Sequence, residues 1–308
     1  MAAGTDPRAL LGRELPDLTV DTVEPLGEGW DHVAFLVNGD LVFRLPWELV
    51  EGTERGEPGG AAPEVALLRA VEGRLPVVVP APLHVAPDGS YFGYRYLPGR
   101  AVAEDLNAWT GHVDGQSVLA DLIVTVALAI EAAVPVEAAR DMGLGVFATP
   151  RHDPAAARAG LEHALVSPQV RAAGEWALSV VPERWARAAA RRMATLHADF
   201  GLDHWLVDEG GDVYALIDWS DACVAPPEHQ VSTLMWDIPE LVEAVADRYM
   251  GRTGHRLDRD LVVADGILNA LGDLGELLAE GEPEDGEDVQ RCRRFLETWA
   301  PVADVRRR

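Results

Sequence analysis

The sequence predicts an α+β fold of two lobes, with a small antiparallel sheet in the N-terminal lobe and a larger, mostly helical C-terminal lobe. Short apolar stretches separated by turn residues fill the first hundred residues, whereas stretches with helical periodicity fill most of residues 101–308. Between these regions lies Leu97-Pro98-Gly99, which is typical of a hinge. We therefore expect lobes at residues 1–97 and 98–308, with the hinge near 95–99.

The length, composition and net charge of the chain limit the classes of partner that it can have. A chain of 308 residues that is 48% hydrophobic can bury a sizeable core. Its formal net charge of -25 argues against nucleic-acid phosphates as a partner and permits a cationic small molecule. All 26 basic residues are arginine.

Cellular location is predicted from the apolar segments. No N-terminal apolar stretch follows a basic region, and the apolar segment Val118–Val134 is interrupted by Asp121 and Glu131. We therefore expect neither a signal peptide nor a membrane span, and a cytoplasmic location. Cys223 and Cys292 lack metal-ligand spacing and are predicted to be buried thiols.

The N-terminal lobe is predicted to begin with a three-strand meander. Asn38-Gly39 is a strong hairpin turn between its second and third strands. Gly27 and Gly29 lie in a loop between the first two strands, where the backbone could approach a phosphate, although a simple turn is the alternative. The predicted strands of this lobe are 23–26, 33–37, 41–45, 75–79 and 91–96.

One basic residue stands out on the third strand. Arg44 has apolar neighbours on both sides, which predicts a mostly buried setting, and a buried cation needs a partner. Glu64 is the candidate, because it begins a helical stretch that has Pro63 in its first turn.

The C-terminal lobe is predicted to be helical except for one hairpin. Its two strands run from Trp205 to Val207 and from Val213 to Ile217, joined by a glycine-rich turn. The predicted helices are 118–134, 155–165, 170–178, 183–196, 229–236, 241–252, 257–280 and 289–299.

Two acids flank this hairpin. Asp199 follows His197 by two residues, and Asp218 ends the second strand just before Trp219. Two carboxylates brought to one point can supply a base and a metal ligand. The alternatives are a helix-capping or loop aspartate for the first and a turn-capping aspartate for the second.

These parts, taken in order, resemble the aminoglycoside phosphotransferase family of kinase-like antibiotic-modifying enzymes. The stretch LGEGWDHVAFLVNGDLVFRLP is similar to the N-terminal lobe of the aminoglycoside 2″-phosphotransferases. HADFGLDHWLVD and LIDWSDA resemble both those enzymes and the macrolide 2′-phosphotransferases. The resemblance covers nearly the whole chain. It implies a bilobal protein-kinase-like fold and phosphoryl transfer from GTP or ATP, with Mg²⁺, to a hydroxyl of an aminoglycoside or macrolide, which confers resistance.

The resemblance also implies catalytic and metal-binding roles. Asp199 would take the proton of the substrate hydroxyl, and His197 would brace the loop by bonding to backbone or to Asp218. Asp218 would bind Mg²⁺. His204 would lie at the metal, either as a ligand or through water, although imidazole is a poor Mg²⁺ ligand and a buried, backbone-satisfied histidine is as good an interpretation.

Nucleotide contacts follow in the same way. Gly27, Gly29, Arg44 and Glu64 would form the phosphate side. At the hinge Tyr94 would gate the base pocket, which favours GTP over ATP, and the backbone of Arg95, Tyr96 and Leu97 would pair with the base edge.

Two positions depart from the family pattern. Arg44 stands where lysine is commonest, and an arginine cannot fill a point-charge site identically. Gln230 stands where many relatives have an acid. If that acid fixes the catalytic loop, Gln230 can only hydrogen-bond, so reduced activity is one expectation.

The substrate is predicted less sharply than the chemistry. Candidates for contacts with a cationic antibiotic are Asp203, Glu228, Trp236, Asp237 and Glu240. A kinase of another small alcohol, of the amino-sugar, choline or homoserine type, is the alternative, as is a nucleotide-binding module with little turnover. The sequence leaves the oligomeric state open.

Overall fold

The computed structural model describes residues 5–29, 32–51, 60–106, 113–151, 154–163, 166–236 and 239–307. Trp30 and Asp31 of the glycine-rich loop lie outside these residues, as does most of the loop predicted between Glu51 and Pro63.

The N-terminal region is built on an antiparallel sheet of five strands in the order β1-β2-β3-β5-β4. The predicted hairpin turn is present, since Asn38 and Gly39 both have positive φ angles, of 53° and 76°. The strands are β1 (Val23–Glu28), β2 (His32–Val37), β3 (Leu41–Pro46), β4 (Pro82–Val85) and β5 (Phe92–Arg95).

Three helices accompany this sheet. They are α1 (Pro7–Glu14), α2 (Trp47–Glu51) and α3 (Ala62–Val71). The last was predicted from Glu64 onwards, and Pro63 occupies its first turn as expected. The first two were not predicted, because each is too short to show a helical period.

The predicted strand at residues 75–79 is wrong. Val78 makes only an isolated bridge to Ala215 of the C-terminal hairpin, with hydrogen bonds to Tyr214 O and from Leu216 N. Pro76 removes one backbone donor from the segment, and Val77 and Val79 are buried by packing rather than by a strand ladder, while Val78 is exposed. The segment instead ties the two halves of the protein together.

The C-terminal region is mostly helical. Its longer helices are α4 (Val113–Ala133), α5 (Val136–Asp141), α6 (Pro154–Glu162), α7 (Pro168–Arg191), α8 (Pro227–Ser232), α9 (Pro239–Thr253), α10 (Arg259–Glu280) and α11 (Glu287–Arg307). Two small sheets lie among them: β6 (Arg100–Ala101), β9 (Trp205–Val207) and β10 (Val213–Leu216) form one, and β7 (Gly145–Val146), β8 (Ala194–Leu196) and β11 (Cys223–Ala225) form the other.

Helix α7 corrects the predicted pair of helices at 170–178 and 183–196. It runs through Pro182, which lies on the exposed face, while Val181 and Trp185 beside it are fully buried. Burial of these side chains outweighs the one backbone hydrogen bond that proline removes. The helix ends at Arg191, and the residues that follow form β8.

The long helix α4 contributes one face to the core. Leu119, Ile123, Val124 and Ile130 are buried there. By length and composition alone Gly115–Ala133 could cross a membrane, but a third of that window is buried and the core helices of soluble proteins meet the same criterion. Among the described residues, both cysteines are buried and free, as predicted.

The predicted fold class is confirmed: an antiparallel sheet at the N-terminus is followed by a mostly helical region. Between them the chain passes Gly99, where a Cβ atom would lie 2.7 Å from the carbonyl oxygen of Val207. The close approach of these two backbones explains the glycine in the segment predicted to be a hinge. The exact lobe boundary stays a prediction.

Candidate functional site

Asp199 and Asp218 come together around one side chain. The Nδ1 atom of His204 lies 3.3 Å from a carboxylate oxygen of Asp199, and its Nε2 atom lies 3.9 Å from a carboxylate oxygen of Asp218. Asp199 follows β8 and Asp218 follows β10, so residues of the two small sheets converge there. The sequence predicted this convergence, with His204 at the same point.

The backbone is strained beside both acids. Ala198 and Asp218 have φ angles of 65° and 60°, in the left-handed region that residues other than glycine seldom adopt. Each costs about 1–3 kcal/mol and persists only where the surroundings enforce it.

Helix α8 and the turn after it provide such surroundings for the loop before Asp199. The side-chain oxygen of Gln230 accepts hydrogen bonds from the backbone N–H groups of His197, at 2.9 Å, and Ala198, at 3.2 Å. The hydroxyl of Thr233 accepts one from the N–H of Phe200, at 3.1 Å. Gln230 therefore holds the loop without a charge. The role of Thr233, three residues after Gln230, was not predicted, because a single threonine near the end of a helix has no sequence pattern that indicates a contact with a distant loop.

The ring of His197 is held by contacts with backbone groups. It is fully buried, and its two ring nitrogens contact the backbone, Nε2 at the Ile217 carbonyl (3.1 Å) and Nδ1 as acceptor from the Asp199 N–H (3.2 Å). These contacts suit the neutral ring, and burial lowers the pKa of His197 to about 3. The predicted backbone contact is confirmed.

The carboxylates and His204 shift one another's protonation. Burial raises the pKa of Asp199, and nearby acids raise it further, while His204 opposes the shift. Burial alone would lower the pKa of His204, but the carboxylates of Asp199, Asp203 and Asp218 outweigh it and raise that pKa. The arrangement favours an imidazolium that balances charge over an imidazole that ligates a metal.

A buried ionic triad of Arg44, Glu64 and Asp218 forms the part of the site where the phosphates are predicted to bind, called here the phosphate side. Arg44 contacts Glu64 at 2.9 Å, as predicted, and Asp218 at 2.7 Å, which was not predicted. The side chains of Arg44 and Glu64 are only 13% and 9% exposed. Burial raises the pKa of Glu64 to about 7 even though Arg44 opposes it. Burial would also raise the pKa of Asp218, but Arg44, followed by His204, lowers it well below its usual range.

Hydrogen bonds hold the described residues on either side of Trp30 and Asp31. The N–H of Gly29 donates to the carbonyl of His32 at 2.8 Å, and the indole N–H of Trp47 donates to the carbonyl of Gly29 at 3.0 Å. The placement of Gly27 in the loop is wrong, because it lies in β1 and pairs with Ala34 of β2; a Cβ atom on it would meet nothing within 4 Å. The sequence did not point to His32, whose pKa is lowered to about 4 by burial and by Arg44.

The hinge residues differ in what they can offer a nucleotide. Tyr94 is buried beside Phe92, with ring centroids 5.9 Å apart, and burial raises its pKa to about 12. Arg95 is exposed and pairs with Asp40 at 3.2 Å. The N–H of Tyr96 already donates to the carbonyl of Asp40. The Tyr96 N–H is therefore not available for the predicted contact with a nucleotide base.

The predicted substrate residues are separated by the structure. Glu228 is fully buried and bonded to Arg191 (3.3 Å) and to the N–H of Asp258 (3.0 Å), so its choice as a substrate contact is wrong. Glu228 was predicted because it is close in sequence to the proposed catalytic segment, but its side chain points into the protein interior. Glu240 is exposed, and Asp237 lies outside the described residues.

Asp203 and Trp236 lie close to the acids. The carboxylate of Asp203 is 4.0 Å from the Nδ1 atom of His204. Its other contact is Arg291 of α11, at 3.3 Å, and the guanidinium carbon of Arg291 lies 5.4 Å from the ring centroid of Trp236. Arg291 was not predicted, since 88 residues separate it from Asp203.

Mg²⁺ has a limited set of protein ligands available. In the parts of the chain that the structure describes, no group of three or more histidine, cysteine or acidic side chains could hold a metal ion. Asp218 fits the ion nonetheless, because Mg²⁺ commonly binds one or two carboxylates and takes its other ligands from water and phosphates.

A family model described as the phosphotransferase enzyme family matches residues 22–266 of this chain. A comparison with curated proteins finds no significant match.

Solved structures share the fold. The GDP complex of an aminoglycoside 2'-phosphotransferase-IIIa is 23% identical, with a TM-score of 0.70, covering 96% of this chain and 97% of that one. A macrolide 2'-phosphotransferase from Brachybacterium faecium is 22% identical, with a TM-score of 0.56 and coverage of 94% and 97%. A choline/ethanolamine kinase family protein from Mesorhizobium loti is 18% identical, with a TM-score of 0.59 and coverage of 97% and 92%.

Proposed function

Since this chain belongs to the phosphotransferase enzyme family and transfers a phosphoryl group to an alcohol, we propose that its acceptor is an aminoglycoside or macrolide antibiotic, which the transfer inactivates. The observation that carries the proposal is the meeting of Asp199, His204 and Asp218, with Arg44 on the far side of Asp218. A base, a metal-binding carboxylate and a phosphate-binding cation are the parts that phosphoryl transfer requires.

Asp199 is the proposed base. Its side chain is 34% exposed, which leaves it open to an acceptor hydroxyl. It orients that hydroxyl and takes its proton as the phosphoryl group arrives. His197, as a positioning residue, supports this geometry because its Nδ1 atom accepts the Asp199 N–H.

Asp218 is the proposed Mg²⁺ ligand, and the ion supplies neutralisation of the nucleotide phosphates when bound. One Asp218 oxygen already contacts Arg44, so its other oxygen is the one available. We assign His204 to charge balance between the acids rather than to direct ligation. Arg44, aligned by Glu64, contributes a fixed cation for the phosphates.

The proposed donor is GTP, with ATP as the alternative. The buried, bulky Tyr94 supports this choice, because a large side chain at the gate position favours GTP in the family that the sequence resembles. Fold neighbours include GDP complexes of aminoglycoside phosphotransferases. The proposed location is the cytoplasm, where nucleoside triphosphates are available.

A kinase of another small alcohol is the second candidate. The choline/ethanolamine kinase family protein shares the fold at a TM-score of 0.59, comparable with the 0.56 of the macrolide enzyme. Fold similarity of this degree does not select the acceptor.

A turnover panel tests the proposal. Purified protein with Mg²⁺ and either GTP or ATP is assayed for nucleoside diphosphate release with kanamycin, erythromycin, choline and homoserine. We expect release above the water-only rate with at least one antibiotic, and faster with GTP. Turnover confined to choline or homoserine supports the second candidate, and tight nucleotide binding without any turnover contradicts both.

A further inference from the structure

Arginines compensate the acids around Asp199. Three further carboxylates, at Asp203, Asp218 and Asp221, lie close enough to raise its pKa. Each of them carries an arginine: Arg291 on Asp203 at 3.3 Å, Arg44 on Asp218 at 2.7 Å and Arg151 on Asp221 at 2.5 Å. A carboxylate that is already ion-paired offers less to a substrate ammonium than an open one.

Arg291 differs from the other two because it comes from α11, away from the phosphate side. Its guanidinium lies over Trp236, whose ring packs on Phe295 at 4.4 Å between centroids. Asp203 and Asp199 both lie within 4.0 Å of the same His204 nitrogen. The carboxylate of Asp203 and the ring of His204 therefore link the positive charge of Arg291 to the proposed base.

We propose that Arg291 is a specificity-determining residue that selects against polycationic acceptors and favours acceptors with at most one cation near the reacting hydroxyl. This inference rests on the proposed antibiotic phosphotransferase function and narrows its substrate class. It favours macrolide-type acceptors, which carry a single amino sugar, over aminoglycosides, which carry several ammonium groups.

Two physical effects act in the same direction. With Arg291 in place, Asp203 is already paired, and an incoming ammonium meets a like charge instead of an open carboxylate. The Trp236 face is also covered, so a substrate ammonium cannot use it for a cation–π contact. Because the side chain of Arg291 is 49% exposed, salt screens the repulsion, and discrimination should be strongest at low ionic strength.

The test compares Arg291→Gln, which removes the charge, with Arg291→Lys, which keeps it. Arg294→Gln is the matched control, an exposed arginine one turn along the same helix. Binding of kanamycin and of erythromycin is measured by calorimetry in low salt, with kcat and KM for any acceptor that turns over, and thermal melting checks that each variant is folded.

We expect Arg291→Gln to tighten kanamycin binding about tenfold, the scale of one removed like-charge contact. Erythromycin binding should change less than about threefold, and any kinetic change should fall on KM rather than kcat. Arg291→Lys and Arg294→Gln should match the wild type.

Three results overturn the inference: equal changes for both antibiotics, weaker kanamycin binding in Arg291→Gln, or no kanamycin binding by any variant. If Arg291→Gln binds kanamycin more tightly as expected but no acceptor is phosphorylated by any variant, the assignment of Arg291 is supported and the proposed function is refuted. The two failures are therefore distinguishable.

Discussion

The two sides of the site handle charge differently. On the phosphate side Arg44 and Glu64 are buried and in direct contact. On the acceptor side the side chains of Asp203 and Arg291 are 38% and 49% exposed, and their contact is longer, at 3.3 Å. A buried charge needs a partner because leaving it unpaired is strongly destabilising. An exposed ion pair contributes little to stability and can rearrange at a small cost in free energy. The phosphate side is thus fixed by the fold, and the acceptor side is where specificity can change without loss of the fold.

The largest expected effect on activity comes from replacing Asp199, on the acceptor side of the site. Asp199→Asn should lower kcat by about a thousandfold, because it removes the base but keeps the shape of the side chain. Nucleotide affinity, measured by calorimetry, should stay within about twofold, since the phosphate side is untouched. Asp212→Asn, an exposed acid in the hairpin turn, is the control and should be silent. Surviving activity in Asp199→Asn means that another group is the base.

The second largest effect is expected from removing the positive charge of Arg44. Arg44→Met leaves Glu64 and Asp218 without their common partner and should destabilise the protein by about 3 kcal/mol. It should lower kcat/KM for the nucleotide about a hundredfold. Arg44→Lys keeps the charge and should retain most of the stability. Urea unfolding and initial rates measure both effects, and equal behaviour of the two variants would show that the charge is irrelevant.

The hydrogen bonds that hold the loop before Asp199 can be tested without replacing a residue on the phosphate side or the acceptor side of the site. Gln230→Ala leaves the buried N–H groups of His197 and Ala198 unpaired and should cost about 2 kcal/mol of stability. We expect kcat to fall about tenfold, with nucleotide binding preserved. Gln230→Glu keeps an acceptor oxygen and should retain more stability and activity than Gln230→Ala, with a stability that rises as pH falls because the buried carboxyl is then protonated. If Gln230→Ala melts at the wild-type temperature, the two hydrogen bonds contribute little.

The smallest expected effect is at His204, which lies between the two sides. His204→Asn should retain at least about a tenth of the wild-type kcat, because in the proposed role the residue balances charge and is not a ligand. The imidazolium opposes the rise of the Asp199 pKa, so its removal should raise that pKa further. The acidic limb of the plot of kcat/KM against pH should therefore move to higher pH. Complete inactivity at every pH, or a shift to lower pH, would contradict the charge-balancing role.

The sequence predicted the parts of the site that depend on local patterns. The Asn38-Gly39 turn fixes where β3 begins, and so places Arg44 on the sheet beside the helix of Glu64. The hairpin of β9 and β10 likewise fixes Asp218. Such features follow from turn chemistry and strand alternation within about twenty residues.

Contacts over longer distances could not be predicted. The pairs Arg44–Asp218 and Arg291–Asp203 join residues 174 and 88 positions apart, and neither has a local pattern. Local signals also failed where tertiary packing overrides them. Pro182 indicated a break that burial of Trp185 prevents, and the apolar run at 75–79 indicated a strand that becomes a connection between the two regions.

The double contact of Arg44 has a kinetic consequence. One guanidinium holds Glu64 of the N-terminal region and Asp218 of the C-terminal region at once. Nucleotide phosphates that bind Arg44 would compete with Asp218 for its guanidinium, and the contact between Arg44 and Asp218 would form again when the diphosphate departs. We therefore expect the protein to assist product release at the expense of nucleotide affinity, so that this one ion pair shortens the residence time of the diphosphate.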